Sequence, residues 1–321
     1  SWKWSVLWQQ QPEWWALVLS GIGIIYAIAP GPINLNWRSR AAALCLLAPL
    51  FIRTNSQVIS SGQFMATVFD IGQGTAVLIE TASKKLLYDT GPIQGKKDDA
   101  GQRILLPYLQ ARGIDRIDRM VISHSDSDHI GGAATLLKHI QFKSMMGSLP
   151  STNPLLQNLH SRKITSIPCR YGQYWIWEEV EFYIWHPHEN FLFEREYSSK
   201  PNEMSCVLEV RNRNTSFWLT GDVERQGEAQ IVDRLTQNML HQIGERELIF
   251  MAPHHGSKTS SSEELLKSLR PDLAFAQNGY RNRYGHPHPT VTARYEALDI
   301  PFLQTPRTGA QIWRFEGGRK A

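Results

Sequence analysis

The stretch ISHSDSDHIGG, residues 122–132, places two imidazoles and two carboxylates within six positions: His124, Asp126, Asp128 and His129. Two aspartates this close repel each other unless a cation offsets their charge. Imidazole nitrogen and carboxylate oxygen are also common protein ligands of divalent metals. The spacing therefore favours a metal-binding loop. A polar surface turn in which Asp128 caps a helix is the alternative.

Three further turns place His or Asp after an apolar run. Asp89 ends KKLLYD, Asp222 ends FWLTGD, and His254 and His255 follow ELIFMAP. One such residue alone is usually a turn or capping residue. Ligands, however, bind at the carboxyl ends of strands in α/β folds. Four such ends in one chain predict that these side chains converge.

Short apolar strands and helices must position these loops. FMATVFDIG and TAVLIET indicate strands, and RILLPYLQARG indicates a helix that ends at Gly113. Further strands are predicted at 118–123, 142–146, 163–167, 174–177, 180–185, 205–211, 215–220, 247–252, 272–276, 302–304 and 310–315. Further helices are predicted at 133–140, 224–238, 261–269 and 289–298. The chain is therefore mixed α/β, with more strands than helices.

The first 55 residues differ from the rest. Residues 14–29 form an uncharged apolar run, and residues 41–52 form a second one after a turn that contains Arg38 and Arg40. The two runs predict a membrane helical hairpin, although the second is shorter than a bilayer demands. A pair of buried helices in a soluble core is the alternative. Because basic loops stay in the cytoplasm, the hairpin would put the remaining chain in the periplasm or outside the cell.

Charge and cysteine content narrow the function classes. The net charge is +4, and the first 55 residues hold four basic side chains against one acidic, so the rest is nearly neutral. A strongly basic nucleic-acid-binding protein is excluded, and any DNA contact must be a local groove aided by metal. The absence of CxxC spacing argues against a thiolate metal site. We expect Cys45, Cys169 and Cys206 to pack as small apolar residues, with a Cys169–Cys206 disulfide as the alternative.

SHSDSDHIGG resembles the metal loop of the metallo-β-lactamase fold, whose usual pattern is His-x-His-x-Asp-His; Asp126 stands where the second His would be. The chain as a whole is similar to the C-terminal hydrolase domain of ComEC-type DNA-internalisation (competence) proteins. The similarity rests on this loop and on six further motifs: VFDIGQGTAVLIET, YDTGP, PNEMSCVLEV, LTGDVE, PHHGSKTSS and NRYGHPHP. The similarity covers about residues 64–315, and the preceding apolar segment resembles the end of that family's membrane competence domain. It implies an α/β fold, an αββα sandwich, preceded by a short hydrophobic helical hairpin. Residues 1–55 would be the membrane-associated segment and residues 56–321 the hydrolase domain.

The resemblance implies a site for two divalent metal ions. The implied ligands are His124 and Asp126 for the first metal, Asp128 and His129 for the second, Asp222 as the bridge, and either His254 or His255 as the last. Asp89 matches the aspartate that braces the metal loop. The loop that usually supplies another His has Asn202 and Ser205 instead. Because this set is richer in oxygen donors, it favours Mn²⁺, with Zn²⁺ next.

The stretch RNRYGHPHP and the residues before it hold the candidate substrate groups. These are Asn278, Arg281, Arg283, His286 and His288. Helix N-termini and arginines bind phosphate, so we predict a substrate-phosphate clamp here; a Pro-rich helix start with surface polar groups is the alternative. The similar stretch IWHPHEN holds His186 and His188, which we expect to be structural or surface residues.

The resemblance implies a metal-dependent nuclease, a phosphodiester hydrolase that degrades incoming DNA during natural transformation. Two metals would activate hydroxide for attack on phosphorus, with Asp128, Asp222 and His286 as the catalytic residues. The implied partners are DNA, the membrane, the remainder of the competence channel and other uptake-machinery proteins. A metallo-hydrolase of a small phosphate ester and a non-catalytic DNA-guiding domain are the alternatives.

Overall fold

The computed structural model describes residues 11–29, 36–51, 58–95, 98–188, 200–237 and 246–317. The chain divides into two compact units. One comprises Ser1–Val58 with Pro107–Asp115, and the other comprises Ile59–Leu106 with Arg116–Ala321. The larger unit contains every residue that the sequence predicts to bind a metal or a substrate.

The smaller unit contains the two apolar runs. Its described N-terminal elements are α1 (Trp14–Ile28), α2 (Trp37–Leu44) and a 3₁₀ segment (Cys45–Phe51). Asn36 caps α2 by accepting a hydrogen bond from the Ser39 amide at 2.8 Å, and the Ser20 hydroxyl donates to the Leu46 carbonyl at 3.1 Å. None of the helices in the described ranges is both long and apolar enough to cross a bilayer.

The larger unit contains two seven-stranded sheets in its described residues. The strands are β1 (Phe64–Val68), β2 (Val77–Glu80), β3 (Lys85–Tyr88), β4 (Arg116–Ile122), β5 (Gln141–Gly147), β6 (Thr165–Pro168), β7 (Tyr174–Trp177), β8 (Val180–His186), β9 (Val207–Arg211), β10 (Thr215–Leu219), β11 (Glu247–Met251), β12 (Leu273–Ala276), β13 (Phe302–Gln304) and β14 (Gln311–Phe315). The first sheet has the order β14-β1-β2-β3-β4-β5-β6, and the second has the order β13-β12-β11-β10-β9-β8-β7. The strands predicted from the alternating and apolar runs are therefore confirmed.

Short helices connect these strands. They are a π-helical turn (Gly101–Leu105) that continues into α3 (Leu106–Ala111), then α4 (Ser127–Ile130), α5 (Ala133–His139), α6 (Pro154–Ser161), α7 (Arg225–Gln237), α8 (Glu263–Leu269), α9 (Pro289–Ala297), α10 (Thr305–Thr308), and 3₁₀ turns at Asn202–Met204 and Pro253–Gly256. Helix α6 was not predicted from the sequence. Its start signals are present, because Asn153 accepts from the Leu155 amide at 2.9 Å and Pro154 is the first helical residue.

Two apolar clusters build the larger unit. In the first, Phe64, Val77 and Tyr88 of the first sheet pack with Phe182, Leu208 and Phe217 of the second. In the second, Trp185 and Trp218 of the second sheet pack with Leu265 of α8 and with Val291 and Tyr295 of α9. Two facing sheets with helices outside them form the mixed α/β architecture that the sequence predicts.

A disulfide joins Cys169 and Cys206, whose Cα atoms lie 5.9 Å apart. The expectation that these two cysteines pack as separate thiols is therefore wrong, and the alternative holds. Cys169 follows β6 of the first sheet and Cys206 precedes β9 of the second, so the bond links the two sheets through their shared core. Cys45 is exposed rather than packed, which corrects the third cysteine prediction.

The direction of the strands brings together the loops that carry the predicted metal ligands. Strands β3 to β6 are parallel neighbours, and so are β10 to β13. Asp89 follows β3, His124 follows β4, Asp222 follows β10, and His255 follows β11. Because carboxyl ends of parallel neighbours open at the same edge of a sheet, each sheet presents its polar loops at one edge.

Candidate metal centre

One cluster of side chains joins loops that follow strands of both sheets. Asp128, His129, Asp222 and His255 each offer one ligand atom, and these atoms all lie within 4.8 Å of one another. Nε2 of His129 lies 3.0 Å from Oδ1 of Asp222, and Nε2 of His255 lies 3.3 Å from Oδ2 of Asp128. Donors about 2 Å from a common ion stand roughly 3 Å apart. The separations therefore suit a single divalent cation.

The cluster leaves buried polar atoms without partners. Nε2 of His124, His129 and His255 and Oδ1 of Asp222 are buried and have no hydrogen-bond partner among the residues described. A buried polar atom costs free energy unless it is bonded. A divalent cation held by the cluster would satisfy the atoms of His129, His255 and Asp222, so the residues present fit a metal.

Two neighbouring groups orient the imidazoles. Nδ1 of His129 lies 2.7 Å from Oδ2 of Asp89, and Nδ1 of His255 lies 2.7 Å from the Gln277 carbonyl. Asp89 is fully buried and also accepts from the amide and the hydroxyl of Ser123, both at 2.7 Å. Such contacts direct the other ring nitrogen, Nε2, into the cluster. Asp89 thereby contacts the loop that carries His124 and His129.

Close backbone approach shapes the same loop. A Cβ on Gly132 would collide with the Thr90 carbonyl, so only glycine fits there. The Asp128 carbonyl accepts from the Thr75 amide at 3.1 Å. Thr75 and its neighbours in the DIGQGT turn therefore hold the loop from the other side.

His254 and His255 occupy different places although they are adjacent. Both have left-handed backbone angles, with φ of 51° and 54°. His255 completes the four-donor cluster, whereas Nε2 of His254 lies 3.6 Å from Oδ2 of Asp222 and its Nδ1 lies 3.1 Å from Oε1 of Glu224. Glu224 was not predicted as a site residue, although it stands two positions after Asp222 in LTGDVE.

His124 and Asp126 lie together beside the cluster. Nε2 of His124 is 3.7 Å from Oδ2 of Asp126, whose side chain is 44% exposed. No third donor joins them in a group of metal-binding geometry within the described part of the chain. Ser205 stands where the resemblance expects another His: its Oγ accepts from the Asp222 amide at 3.0 Å and lies 3.4 Å from Nδ1 of His124. Ser205 thus supports the loops rather than adding an imidazole.

The charges in the cluster stabilise one another. Burial raises the pKa of Asp222, but the nearby imidazoles of His129 and His255 outweigh it and hold that pKa well below its usual value. Burial lowers the pKa of His129, but Asp222 and Asp89 outweigh it and raise that pKa well above its usual value. Asp128 follows the first pattern: burial raises its pKa, but the contact with the His255 imidazole and the charge of His129 outweigh burial and lower that pKa. Without a cation, protonated His129 balances the carboxylates, and a bound metal would displace that proton.

His286 lies at the edge of the cluster. Its ring centre is 5.6 Å from that of His254 and 6.4 Å from that of His255. Its Nδ1 is buried and lacks a hydrogen-bond partner in the described residues. Burial, followed by the positive charges of His255 and His254, lowers the pKa of His286 to about 4. His286 is therefore a neutral imidazole near pH 7.

The other predicted clamp residues divide into two kinds. Asn278 is buried and its Nδ2 donates to the His286 carbonyl at 3.2 Å. Nδ1 of His288 accepts from the Thr290 amide at 3.3 Å and caps α9. These two side chains brace the loop, whereas Arg281 and Arg283 are exposed to solvent.

The chain is similar in sequence to known proteins. Residues 69–159 match the metallo-beta-lactamase superfamily. The chain is 31% identical over 318 residues to Competence protein ComA of Neisseria gonorrhoeae, covering 94% of this chain and 42% of that protein. It is 29% identical over 266 residues to ComE operon protein 3 of Bacillus subtilis, covering 78% of this chain and 33% of that protein. The chain therefore spans less than half the length of these relatives.

Solved structures share the fold at low sequence identity. The metallo-beta-lactamase fold protein YhfI from Bacillus subtilis superposes with a TM-score of 0.50 at 13% identity, covering 79% of this chain and all of that one. CmlA, a diiron beta-hydroxylase from Streptomyces venezuelae, superposes with a TM-score of 0.51 at 12% identity, covering 88% of this chain and 58% of that one. The two facing sheets and their helices are thus the metallo-beta-lactamase fold.

Proposed function

This chain belongs to the ComEC family of competence proteins, and we propose that it hydrolyses phosphodiester bonds of incoming DNA in a metal-dependent reaction. One observation carries the proposal: four donor atoms from loops of both sheets lie within 4.8 Å of one another, and three of them have no hydrogen-bond partner in the described residues. The similarity to a protein named Competence protein ComA, together with the resemblance to DNA-internalisation proteins, supports DNA as the polymer that is hydrolysed.

The proposal includes two cation positions. Asp128, His129 and His255 would hold one ion, with Asp222 shared, and His124 and Asp126 would contribute to a second. Bound cations of this kind polarise a phosphate oxygen and make hydroxide available near neutral pH. The carboxylates of Asp128 and Asp222 suit Mn²⁺, and the imidazoles also suit Zn²⁺.

Other side chains act on the substrate directly. As a neutral imidazole, His286 keeps one N–H proton, which it would donate to the leaving oxygen as a hydrogen bond. Arg281 and Arg283, both exposed on the same loop, would bind phosphates on either side of the broken bond. Glu224 supports the neighbouring His254 ring, because its Oε1 lies 3.1 Å from Nδ1 of His254, and Thr259 donates to the same Glu224 oxygen at 2.8 Å.

The cellular setting is also part of the proposal. Residues 1–55 would be the membrane-associated segment, and residues 56–321 the hydrolase domain on the periplasmic or outer side. The Cys169–Cys206 disulfide supports that side, because disulfides persist in oxidising compartments. The remainder of the competence channel and other uptake proteins would be its neighbours. Protease added to intact spheroplasts should cut the domain, and protection of the domain would place it in the cytoplasm.

The decisive experiment measures DNA cleavage by the full chain with Mn²⁺, with Zn²⁺ and with EDTA. We expect cleavage with metal and none with EDTA. Asp128→Ala should lower the rate at least about 10³-fold, because a lost metal ion removes several kcal/mol of transition-state stabilisation. Glu263→Ala is the matched control, since this exposed carboxylate on α8 pairs only with Lys267 in the described structure and should leave the rate unchanged.

The alternatives give different results in the same assays. Hydrolysis of bis(p-nitrophenyl) phosphate without DNA cleavage would indicate a hydrolase of small phosphate esters. DNA binding without metal uptake or cleavage, unaffected by Asp128→Ala, would indicate a DNA-guiding domain. Either result would contradict the nuclease proposal.

A further inference from the structure

The loop between β12 and α9 exposes two tyrosines, each beside an arginine. Tyr280 is 73% exposed and Tyr284 is 53% exposed. The guanidinium of Arg281 lies 5.2 Å from the Tyr280 ring centre, and that of Arg283 lies 4.8 Å from the Tyr284 ring centre. Large aromatic faces in water cost free energy, and such exposed sets commonly mark contact sites.

The base of this loop is held firmly. Oδ1 of Asn282 accepts from the His286 amide at 2.9 Å, and its Nδ2 donates to the Gly279 carbonyl at 3.0 Å. The Gly279 amide in turn donates to Oε1 of Gln73 at 3.1 Å. The loop is therefore ordered before any ligand arrives, which lowers the entropy lost on binding.

The exposed rings lead to the metal centre. Tyr284 stacks on His286, with ring centres 5.6 Å apart and planes inclined by 24°. His286 lies a further 5.6 Å from His254, beside the metal cluster. A strand of nucleic acid with bases on this loop would thus have its next phosphates at the cluster.

We propose that Tyr280 and Tyr284 are a stacking platform for unpaired bases, and that this site takes single-stranded DNA. Every nucleobase has an aromatic face, but in a duplex those faces are already stacked, so aromatic side chains bind bases that have been separated. Arg281 and Arg283 add positive charge for the backbone. The inference rests on the proposed function only for the polymer; the platform itself needs no metal.

The test is binding of a fluorescent single-stranded oligonucleotide to the full chain in EDTA, where hydrolysis cannot interfere. Tyr280→Leu and Tyr284→Leu keep apolar bulk but remove the ring, and each should weaken binding about tenfold. Tyr280→Phe and Tyr284→Phe keep the ring and should bind like the wild type. Arg281→Gln and Arg283→Gln should each reduce the slope of log affinity against log salt by about 0.7.

Three controls separate base stacking on this loop from other contacts. Tyr174→Leu removes another exposed tyrosine, on β7 and 47% exposed, and should leave binding unchanged. An oligonucleotide with abasic sites keeps every phosphate but presents no rings, and wild-type protein should bind it at least about tenfold more weakly. A duplex of equal length should also bind more weakly and should not respond to the tyrosine changes.

Three results would overturn the platform: unchanged binding by both Leu variants, equal binding of abasic and intact strands, or a preference for duplex. If Tyr284→Leu disturbs His286, Tyr280→Leu still tests stacking on the loop. Hydrolysis of bis(p-nitrophenyl) phosphate with Mn²⁺, measured on the same preparations, tests the metal centre without any base. Loss of that hydrolysis with base-dependent binding intact would contradict the proposed function alone.

Discussion

The tripeptide His-Pro-His occurs twice in this chain, at residues 186–188 and 286–288, and in both copies the first peptide bond is cis. The two copies have different surroundings. His186 is buried, and its Nδ1 lies 2.9 Å from the Ser205 carbonyl. His286 is half-buried, its Nδ1 has no partner in the described residues, and its ring adjoins His254.

The neighbours of each copy explain the difference. The end of β8 is covered by α7, where a Cβ on Gly227 would come within 3.1 Å of Nε2 of His186. The second copy lies in a loop whose tyrosines and arginines face solvent. The same three residues therefore act as internal support in one place and border an open site in the other. Local sequence alone does not assign the role of either histidine.

The first effect that tests this contrast concerns catalysis. His286→Ala should lower the rate of DNA cleavage about 100-fold, because the leaving oxygen loses a hydrogen-bond donor. The melting temperature should stay within a few degrees of the wild type, since the side chain is only half-buried. His160→Ala, an exposed histidine on α6, is the control for the rate. A rate within threefold of the wild type would remove His286 from the reaction.

The second effect concerns stability at the other copy. His186→Ala should lower the free energy of unfolding by about 3–4 kcal/mol, because it leaves a cavity and an unpaired Ser205 carbonyl. Urea denaturation measures this loss. Cleavage per folded molecule should change little. A variant as stable as the wild type but inactive would reverse the roles of the two copies.

The third effect is a pH dependence of stability, tested at the buried copy. Burial is the main cause that lowers the pKa of His186 to about 4, against about 6.5 in the unfolded chain. The unfolded state therefore gains a proton first, and stability falls by up to about 3 kcal/mol as the pH drops from about 6.5 to 4. His186→Asn can keep the hydrogen bond to Ser205 but cannot titrate. Denaturation in EDTA should show a shallower fall for His186→Asn, and an equal fall would contradict the assignment.

Much of the candidate site could be predicted because the ends of strands can be recognised in the sequence. Asp89, Asp222 and His255 each follow a run of apolar residues that the core requires, and polar residues there have to face the sheet edge. The dense spacing of His124 to His129 needed no tertiary information either. The fold followed from the same runs, since their lengths and glycine boundaries indicate strands.

Other features depend on distances between separate elements. The Cys169–Cys206 pair lies across two sheets, so nothing in the spacing of the cysteines revealed it. The choice between His254 and His255 depends on two left-handed residues that turn adjacent side chains apart. Glu224 and Gln277 support imidazoles from other loops, and only the packed structure brings them there.

The bond between Cys169 and Cys206 has a practical consequence for the laboratory. It closes a loop of 37 positions, and a cross-link of that size restricts the unfolded chain enough to stabilise the fold by about 4 kcal/mol. Protein produced in a reducing host, or stored with a thiol reagent, would forgo that contribution. Preparations for any of these measurements should therefore be made in an oxidising host and kept free of reductant.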